Sequence, residues 1–244
     1  MGAAILALVG ICAAAPQLLA PIDPSEQRLL ARFTPPFTRA ADGTLAILGT
    51  DQLGRDILSR LIYGARTSSL IGFAAVLIAG LTGTALGLLA GVRGGASDHA
   101  VMRLADMQLA FPFILLAITV IGILGPSIRN LILVVGFANW AAYARVVRAE
   151  TLAVRERPFV EAARSLGLTV PHIVVRHILP NVSASLMVVA TFGIAGAILT
   201  EAGLSFLGLG VPVAIPSWGG MLAEGRQYVD TRYWLALFPG RRSS

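Results

Sequence analysis

Long uncharged apolar runs alternate along this chain of 244 residues with shorter segments that contain arginine. Most of these runs approach or exceed the roughly 20 residues that an α-helix needs to cross a bilayer. We therefore predict an all-α fold, a polytopic transmembrane helix bundle of five complete spans followed by a truncated sixth. The predicted spans cover residues 1–22, 67–92, 107–128, 130–144 and 177–200, and the sixth begins at residues 233–240.

Three of these segments depart from the simple pattern. The run 130–144 is short, so Arg145 and Arg148 beyond it must snorkel or face protein. Residues 202–223 carry two prolines and five glycines, which favours either a partly re-entrant loop or a plain extracytoplasmic loop. The sixth run stops after eight residues, which indicates a truncated reading frame or a natural five-span variant.

Composition excludes several functional classes. A mean hydropathy of +0.77 with only 13% charged residues is not that of an ordinary soluble domain. All 19 basic residues are arginine, so the chain lacks the lysine that a P-loop ATPase or a Schiff-base enzyme requires. The lone cysteine and the spacing of the histidines predict no metal site, and the arginines flank apolar runs rather than forming a nucleic-acid surface.

Two further patterns suggest packing contacts. Gly83, Gly87 and Gly91 recur every four residues, which predicts a smooth helix face that packs closely against a neighbouring helix. Asp106 and Glu201 lie at predicted span ends, where an acid normally faces the bundle interior or water. Their surroundings, RLADMQLAFP and LTEAGLSFLGLG, resemble those in peptide permeases. The resemblance implies that the two acids could bind a peptide amino group; alternatively, they could pair with a nearby arginine such as Arg103 or Arg226.

The segment 158–181 predicts two short helices between long apolar runs. Pro158 suits the first turn of one helix, and Gly167 suits its C-terminal end, where a left-handed residue is usually needed. The first helix carries an apolar stripe at i, i+3, i+4 and i+7, which is typical of a docking element. The stripe consists of Phe159, Ala162, Ala163 and Leu166.

This segment resembles the EAA signature of ABC-transporter permease subunits. His177 stands where the general consensus has isoleucine, which is similar to the peptide and nickel branch of that family. The string GTDQLGRDILSRLIYGARTSSL at 49–70 is similar to the N-terminal signature of dipeptide and oligopeptide permeases. Its spacing of Asp51/Arg55 and Asp56/Arg60 also predicts an amphipathic helix ahead of the second span. The residues that match the EAA signature are Glu161, Ala162, Ala163, Gly167, Leu179 and Pro180.

The resemblance implies a first transmembrane helix at 1–22, an extracytoplasmic segment at 23–66 and a permease domain at 67–240. Within that domain, 149–181 would form a cytoplasmic coupling loop, in which Glu161 holds the local geometry and Gly167 the sharp turn. The chain would be a permease subunit of an ATP-driven importer for peptides, nickel complexes or related solutes, in the cytoplasmic (inner) membrane of a bacterium or archaeon.

The expected partners are a homologous permease subunit, two ATP-binding subunits, an extracytoplasmic substrate-binding protein and the lipid bilayer. ATP and magnesium would be bound by the ATPase subunits, so this chain itself would be neither an enzyme nor a cofactor protein. Two alternatives remain at this stage. A secondary transporter would need an internal repeat, which the sequence does not show. The second alternative is a non-transporting membrane scaffold or a truncated, inactive permease fragment.

Overall fold

The computed structural model describes residues 2–235, which are mostly helical. Two short strands, β1 Thr38–Arg39 and β2 Leu45–Ala46, form an antiparallel hairpin in which Thr38 faces Ala46. Most of the predicted sixth span lies outside the described residues. The helices are α1 Gly2–Ala14, α2 Pro16–Leu19, α3 Ile57–Arg93, α4 Gly95–Ala110, α5 Phe113–Leu124, α6 Ile128–Arg155, α7 Pro158–Ser165, α8 Val170–Ile173, α9 Leu179–Phe206 and α10 Trp218–Gly225.

Within residues 2–235, three helical segments are long and apolar enough to cross a membrane. These are Ile57–Arg93, Ile128–Arg155 and Val170–Phe206, and the bent pair α4 and α5 would add a fourth if it acts as one span. The prediction of a multi-pass helical membrane protein is therefore confirmed. The predicted number of five complete spans is not.

Proline explains two of the differences. The predicted span 1–22 is a 13-residue helix, α1, followed by the separate short helix α2, which begins at Pro16. The predicted third span is broken by 86° between α4 and α5. Phe111, the residue before Pro112, has the extended backbone that a following proline favours, so a helix cannot run straight through this point.

At the other predicted spans, the observed helices are longer than the uncharged runs. Helix α3 begins at Ile57, ten residues before the predicted start, and α6 continues past Arg145 and Arg148 to Arg155. The predicted fifth span begins within the segment Val170–Phe206, which includes a π-helical stretch at Val174–Ile178. That stretch lies just before Pro180, whose missing N–H disfavours a regular helical ladder.

The described residues divide into two compact units. The first comprises 2–72, 121–131 and 198–235, and the second comprises 73–120 and 132–197. The second unit contains an apolar core in which α7 and α8 pack with α6 and α9. The buried members of this core are Val147, Val154, Val160, Ala163, Ile173, Ile178 and Val182.

The predicted glycine face is a packing face of the second unit. A Cβ atom added at Gly83 would lie 2.5 Å from the carbonyl oxygen of Trp140, and one at Gly87 would lie 2.6 Å from that of Ala144. At Gly91 the added atom would meet Thr151 at 2.6 Å. Since all three contacts are with α6, only glycine allows α3 to approach α6 this closely.

Candidate coupling loop and buried charge sites

One face of helix α7 is buried in the core of the second unit and therefore anchored, and the opposite face is exposed and therefore free. Val160 and Ala163 are buried in the core of the second unit. Phe159, Ala162 and Leu166 are exposed, Leu166 to 81%. The predicted four-residue stripe is thus divided, because Ala163 belongs to the buried side and the other three residues form an exposed apolar strip.

Gly167 closes α7 as the sequence predicts. Its φ is +78°, in the left-handed region that favours glycine. The amide of Gly167 donates to the carbonyl of Arg164, and the amide of Leu168 donates to the carbonyl of Ala163. These two hydrogen bonds form a Schellman motif, which satisfies the last carbonyl groups of the helix and fixes the direction in which the chain leaves it.

The remaining matches to the EAA signature lie at or near the surface. Glu161 is exposed, and within residues 2–235 its carboxylate has no hydrogen bond or ion pair. The role of Glu161 in holding the loop therefore stays a prediction. Leu179 is half-buried and Pro180 is exposed.

Asp106 pairs with an arginine other than the one expected. Its carboxylate lies 2.5 Å from Arg145 of α6, and both side chains are largely exposed. The neighbouring pair of Arg148 and Asp98 links the same two helices. The expectation that Arg103 would pair with Asp106 is wrong, and Arg145 and Arg148 face protein carboxylates.

Glu201 is fully buried near the end of α9, and three hydroxyl groups surround it. Ser205 donates at 2.7 Å, Ser217 at 3.0 Å and Ser68 of α3 at 3.3 Å. No cation among the described residues pairs with it, so the expected partner Arg226 is wrong. Ser217 also caps α10 by accepting the amide of Gly220. Glu201 therefore ties α3, α9 and the start of α10 together within the first unit.

A second buried cluster of the first unit contains four charges. Arg55 and Arg60 both contact Asp51, at 2.7 and 2.5 Å, and both contact Glu224 of α10, at 2.7 and 2.8 Å. Gln52 adds a hydrogen bond to Glu224 at 3.0 Å. Sequence reasoning found the Asp51/Arg55 pair but missed Glu224, because 164 residues separate it from Arg60 and no local pattern connects them.

The first part of the GTD string, 49–56, is a loop, so the predicted amphipathic helix is wrong there, whereas 57–70 are helical as the start of α3. Residues 49–56 precede α3. Asp56 accepts hydrogen bonds from the amide and hydroxyl of Ser59, and Asp56 thereby caps the first turn of α3. A Cβ at Gly54 would lie 1.9 Å from the carbonyl oxygen of Arg28. The string therefore encodes a tight turn and a helix start that bring Arg55 and Arg60 to Asp51.

Two carboxyl groups that lie outside both the predicted spans and the candidate membrane-crossing helices have shifted pKa values. Burial alone would raise the pKa of Glu224, but the hydrogen bonds and charge of Arg60, with the charge of Arg55 and the hydrogen bond of Gln52, outweigh it and lower that pKa. Hydrogen bonds from Thr44, and then Arg28, lower the pKa of Asp42 to about 2. Both groups are therefore ionised at neutral pH.

The fold and its signatures define a membrane permease, and comparison with known proteins supports this. Residues 83–239 match the family described as the binding-protein-dependent transport system inner membrane component, so the chain belongs to that family of ABC-transporter permeases. It is 41% identical, over 98% of its length and 79% of the relative, to the di/tripeptide transport system permease protein DppC of Pseudomonas aeruginosa.

A second relative and a solved structure agree. The dipeptide transport system permease protein DppC of Haemophilus influenzae is 40% identical over 97% of this chain and 79% of its own length. The inward-facing MetNI methionine ABC transporter has a chain with a TM-score of 0.58 at 20% identity, covering 74% of this chain and 86% of that one. The latter likeness establishes the fold alone. The family membership places the chain among multi-pass inner-membrane permeases. In the transporters of this family, separate subunits carry the ATPase activity.

Proposed function

We propose that this chain is one of two homologous permease subunits of an ATP-driven peptide importer and that α7 is its docking element for an ATPase subunit. The peptide assignment rests on relatives at about 40% identity that are named for dipeptide or di/tripeptide transport. Those names favour peptides over the nickel complexes that the sequence resemblance also allowed. The importer would lie in the cytoplasmic membrane of a bacterium or archaeon. An extracytoplasmic binding protein would deliver the peptide to it.

The observation that carries the proposal is the division of α7 into an anchored and a free face. Val160 and Ala163 hold its inner face in the same core as α6 and α9. The Schellman motif at Gly167 fixes its end. A force applied to the outer face would therefore reach two membrane helices through packed side chains rather than dissipate in a flexible loop.

The mechanism follows from this arrangement. ATP and magnesium would be bound by the ATPase subunits, and this chain needs no cofactor of its own. Closing of the ATPase subunits would move α7, and α6 and α9 would move with it because they share its core. ATP would thus shift the population between two states of the permease by binding one of them more tightly.

The proposal is tested by co-purification of the chain with its candidate ATPase subunits from detergent-solubilised membranes. Leu166→Asp places a charge on the exposed strip of α7, where the side chain is 81% exposed and its loss does not open the core. We expect recovery of the ATPase subunits to fall at least tenfold, because a charge in an apolar interface is costly. Leu30→Asp is the matched control, since Leu30 is 90% exposed in the extracytoplasmic segment.

The result is interpreted together with peptide uptake by the parent importer in proteoliposomes. Retention of the ATPase subunits by Leu166→Asp would contradict the docking role of α7. Absence of ATP-dependent peptide uptake by an assembled parent complex would contradict the importer function and favour the scaffold alternative. Equal losses in Leu166→Asp and Leu30→Asp would indicate general destabilisation and would count against the assignment of α7.

A further inference from the structure

A cavity of about 270 Å³ lies in the first unit, beside the buried charge cluster. Its walls come from the end of α9, the loop after it and α10. The apolar part of the wall includes Phe206, Val211, Val213 and Ile215. Val213 is 66% exposed and Arg226 is also exposed, so the cavity reaches the surface at these residues. Its volume suits one large amino-acid side chain with its backbone rather than a whole protein segment.

The charged groups of the cavity decide which ligand it prefers. Arg60 and Glu224 line it but neutralise each other within the four-charge cluster. The Glu224 carboxylate accepts four hydrogen bonds, from Arg55, twice from Arg60 and from Gln52. Since two guanidinium groups already compensate its single negative charge, Glu224 does not offer a charge for the ammonium group of a ligand.

Arg226, unlike Arg60, has donors that remain available at the cavity wall. One of its N–H groups donates to the carbonyl of Phe206 at 3.2 Å, and its guanidinium lies 4.4 Å from the centroid of the Phe206 ring. A guanidinium has five donors, and the planar pair on one side matches the two oxygens of a carboxylate. The contacts with Phe206 hold the group at the cavity wall, and no carboxylate among the described residues pairs with it.

The wall of the cavity is preformed. A Cβ at Gly210 would lie 1.8 Å from the hydroxyl oxygen of Ser205, and one at Gly219 would lie 2.4 Å from the Cα of Ala202. The loop after α9 and the start of α10 therefore pack directly on the end of α9. Glu201 reinforces this contact, because both Ser205 and Ser217 donate to it. A preformed apolar wall reduces the entropic cost of binding a side chain.

From these observations we infer that this cavity is a substrate subsite that binds the C-terminal residue of a short peptide, with Arg226 on its carboxylate and a large apolar side chain against Val211, Val213 and Ile215. The inference rests on the proposed importer function and adds a selectivity to it. Arg226 supplies the positive charge, and the apolar wall favours phenylalanine or leucine over alanine at the last position of the peptide.

The experiment uses the complete importer in proteoliposomes, with the permease pair, the ATPase subunits and saturating binding protein. The readout is the ratio of the initial uptake rates of the dipeptides Ala-Phe and Ala-Ala. Val213→Trp fills the cavity from its exposed rim. We expect it to lower the Ala-Phe to Ala-Ala ratio at least fivefold relative to the parent. Because the same binding protein delivers both peptides in each importer, its own preference cancels in the comparison.

A charge series at Arg226 tests the carboxylate contact. We expect uptake of Ala-Phe to fall in the order Arg226→Lys, Arg226→Gln, Arg226→Glu, with at least tenfold between the first and the last and with unchanged half-saturation by loaded binding protein. Arg232→Glu is the matched control, since Arg232 also stacks on aromatic rings, those of Phe33 and Trp234, but does not line the cavity.

Each other outcome contradicts a specific statement. Equal falls for both peptides in Val213→Trp, or no fall, would overturn the subsite. A change in half-saturation by the binding protein in the Arg226 series would mean that Arg226 contacts that protein, which would also overturn it. Absence of uptake by the parent would instead contradict the importer function, so the two failures are distinguishable.

Discussion

The environments of three carboxylates differ more than their sequence contexts suggest. Asp106 is largely exposed and pairs with Arg145. Glu224 accepts hydrogen bonds from two arginines and Gln52, and Glu201 is fully buried among hydroxyl groups. Each is an acid near the end of an apolar stretch. Only the partners that the fold brings to it decide whether it is a surface ion pair, part of a buried ion cluster or a hydrogen-bond centre.

The charge cluster predicts a pH dependence of stability. The pKa of Glu224 is lowered in the folded state, so its stabilising contribution is present above the usual glutamate pKa of about 4.3 and is lost as the pH falls through the lowered value. We expect the Tm of the detergent-solubilised parent to exceed that of Glu224→Gln at pH 7 and the difference to shrink towards pH 3. Asp230→Asn, which removes an exposed carboxylate outside the cluster, should show no such convergence.

The hydroxyl cluster predicts a different sensitivity at Glu201. Glu201→Gln keeps an acceptor for Ser205 and Ser217, whereas Glu201→Leu leaves buried hydroxyl groups without one. We expect Glu201→Leu to destabilise the protein by about 1–3 kcal/mol more than Glu201→Gln does, because an unsatisfied buried polar group costs about that much. Thermal melting of both variants in detergent measures the difference, and equal Tm values would show that the hydroxyls find other partners.

At the scale of elements, the contact of α3 with α6 depends on glycine. The recurrence of Gly83, Gly87 and Gly91 predicted such a face, and the structure identifies α6 as its partner. The sequence did not predict how far the helices extend. Helix α6 continues beyond its uncharged run because its arginines pair with Asp98 and Asp106, so charge no longer marks the end of a helix there.

A substitution at the centre of this face should separate the two helices. In Gly87→Leu the new Cβ would lie 2.6 Å from the carbonyl oxygen of Ala144 and 2.8 Å from the Cβ of Val147. We expect a loss of about 1–3 kcal/mol, the usual cost of overpacking, measured as a lower Tm in detergent. Gly122→Leu in α5 is the control, because nothing lies within 4 Å of its added Cβ. A similar loss in both variants would contradict the close contact.

At the scale of the whole molecule, the coupling proposal predicts an uncoupled variant. Gly167→Asp forces a side chain into the left-handed turn that ends α7, although nothing lies within 4 Å of the added Cβ. The expected defect is therefore a changed geometry of the loop rather than a clash in the core. We expect normal membrane insertion but at least a tenfold loss of peptide uptake per ATP hydrolysed, measured in proteoliposomes with the complete importer.

Gly43→Asp provides the matched control for this variant. Gly43 has a φ of +82° and an equally open surrounding, so the substitution imposes similar strain in the turn between β1 and β2. It should leave the ratio of uptake to hydrolysis unchanged. Normal coupling in Gly167→Asp, or equal uncoupling in both variants, would show that the turn after α7 does not transmit the ATPase movement.

Local patterns in the chain suffice to predict the helical membrane class, the closing turn at Gly167 and the glycine packing face. They also carry the resemblance to peptide permeases. These features depend on local order, namely apolar runs as long as a bilayer, a left-handed residue after a short helix and small residues at helical spacing. Neighbouring residues carry such signals without reference to the rest of the fold.

The division of the α7 stripe and the partners of the buried charges depend instead on long-range packing. The link between Arg60 and Glu224 spans 164 residues, and no periodicity in the sequence encodes it. The loop before α3 was wrongly predicted as a helix because Asp51 and Arg55 have helical spacing. Their pairing is real, but it is stabilised by Arg60 and Glu224 across the fold rather than by a helix.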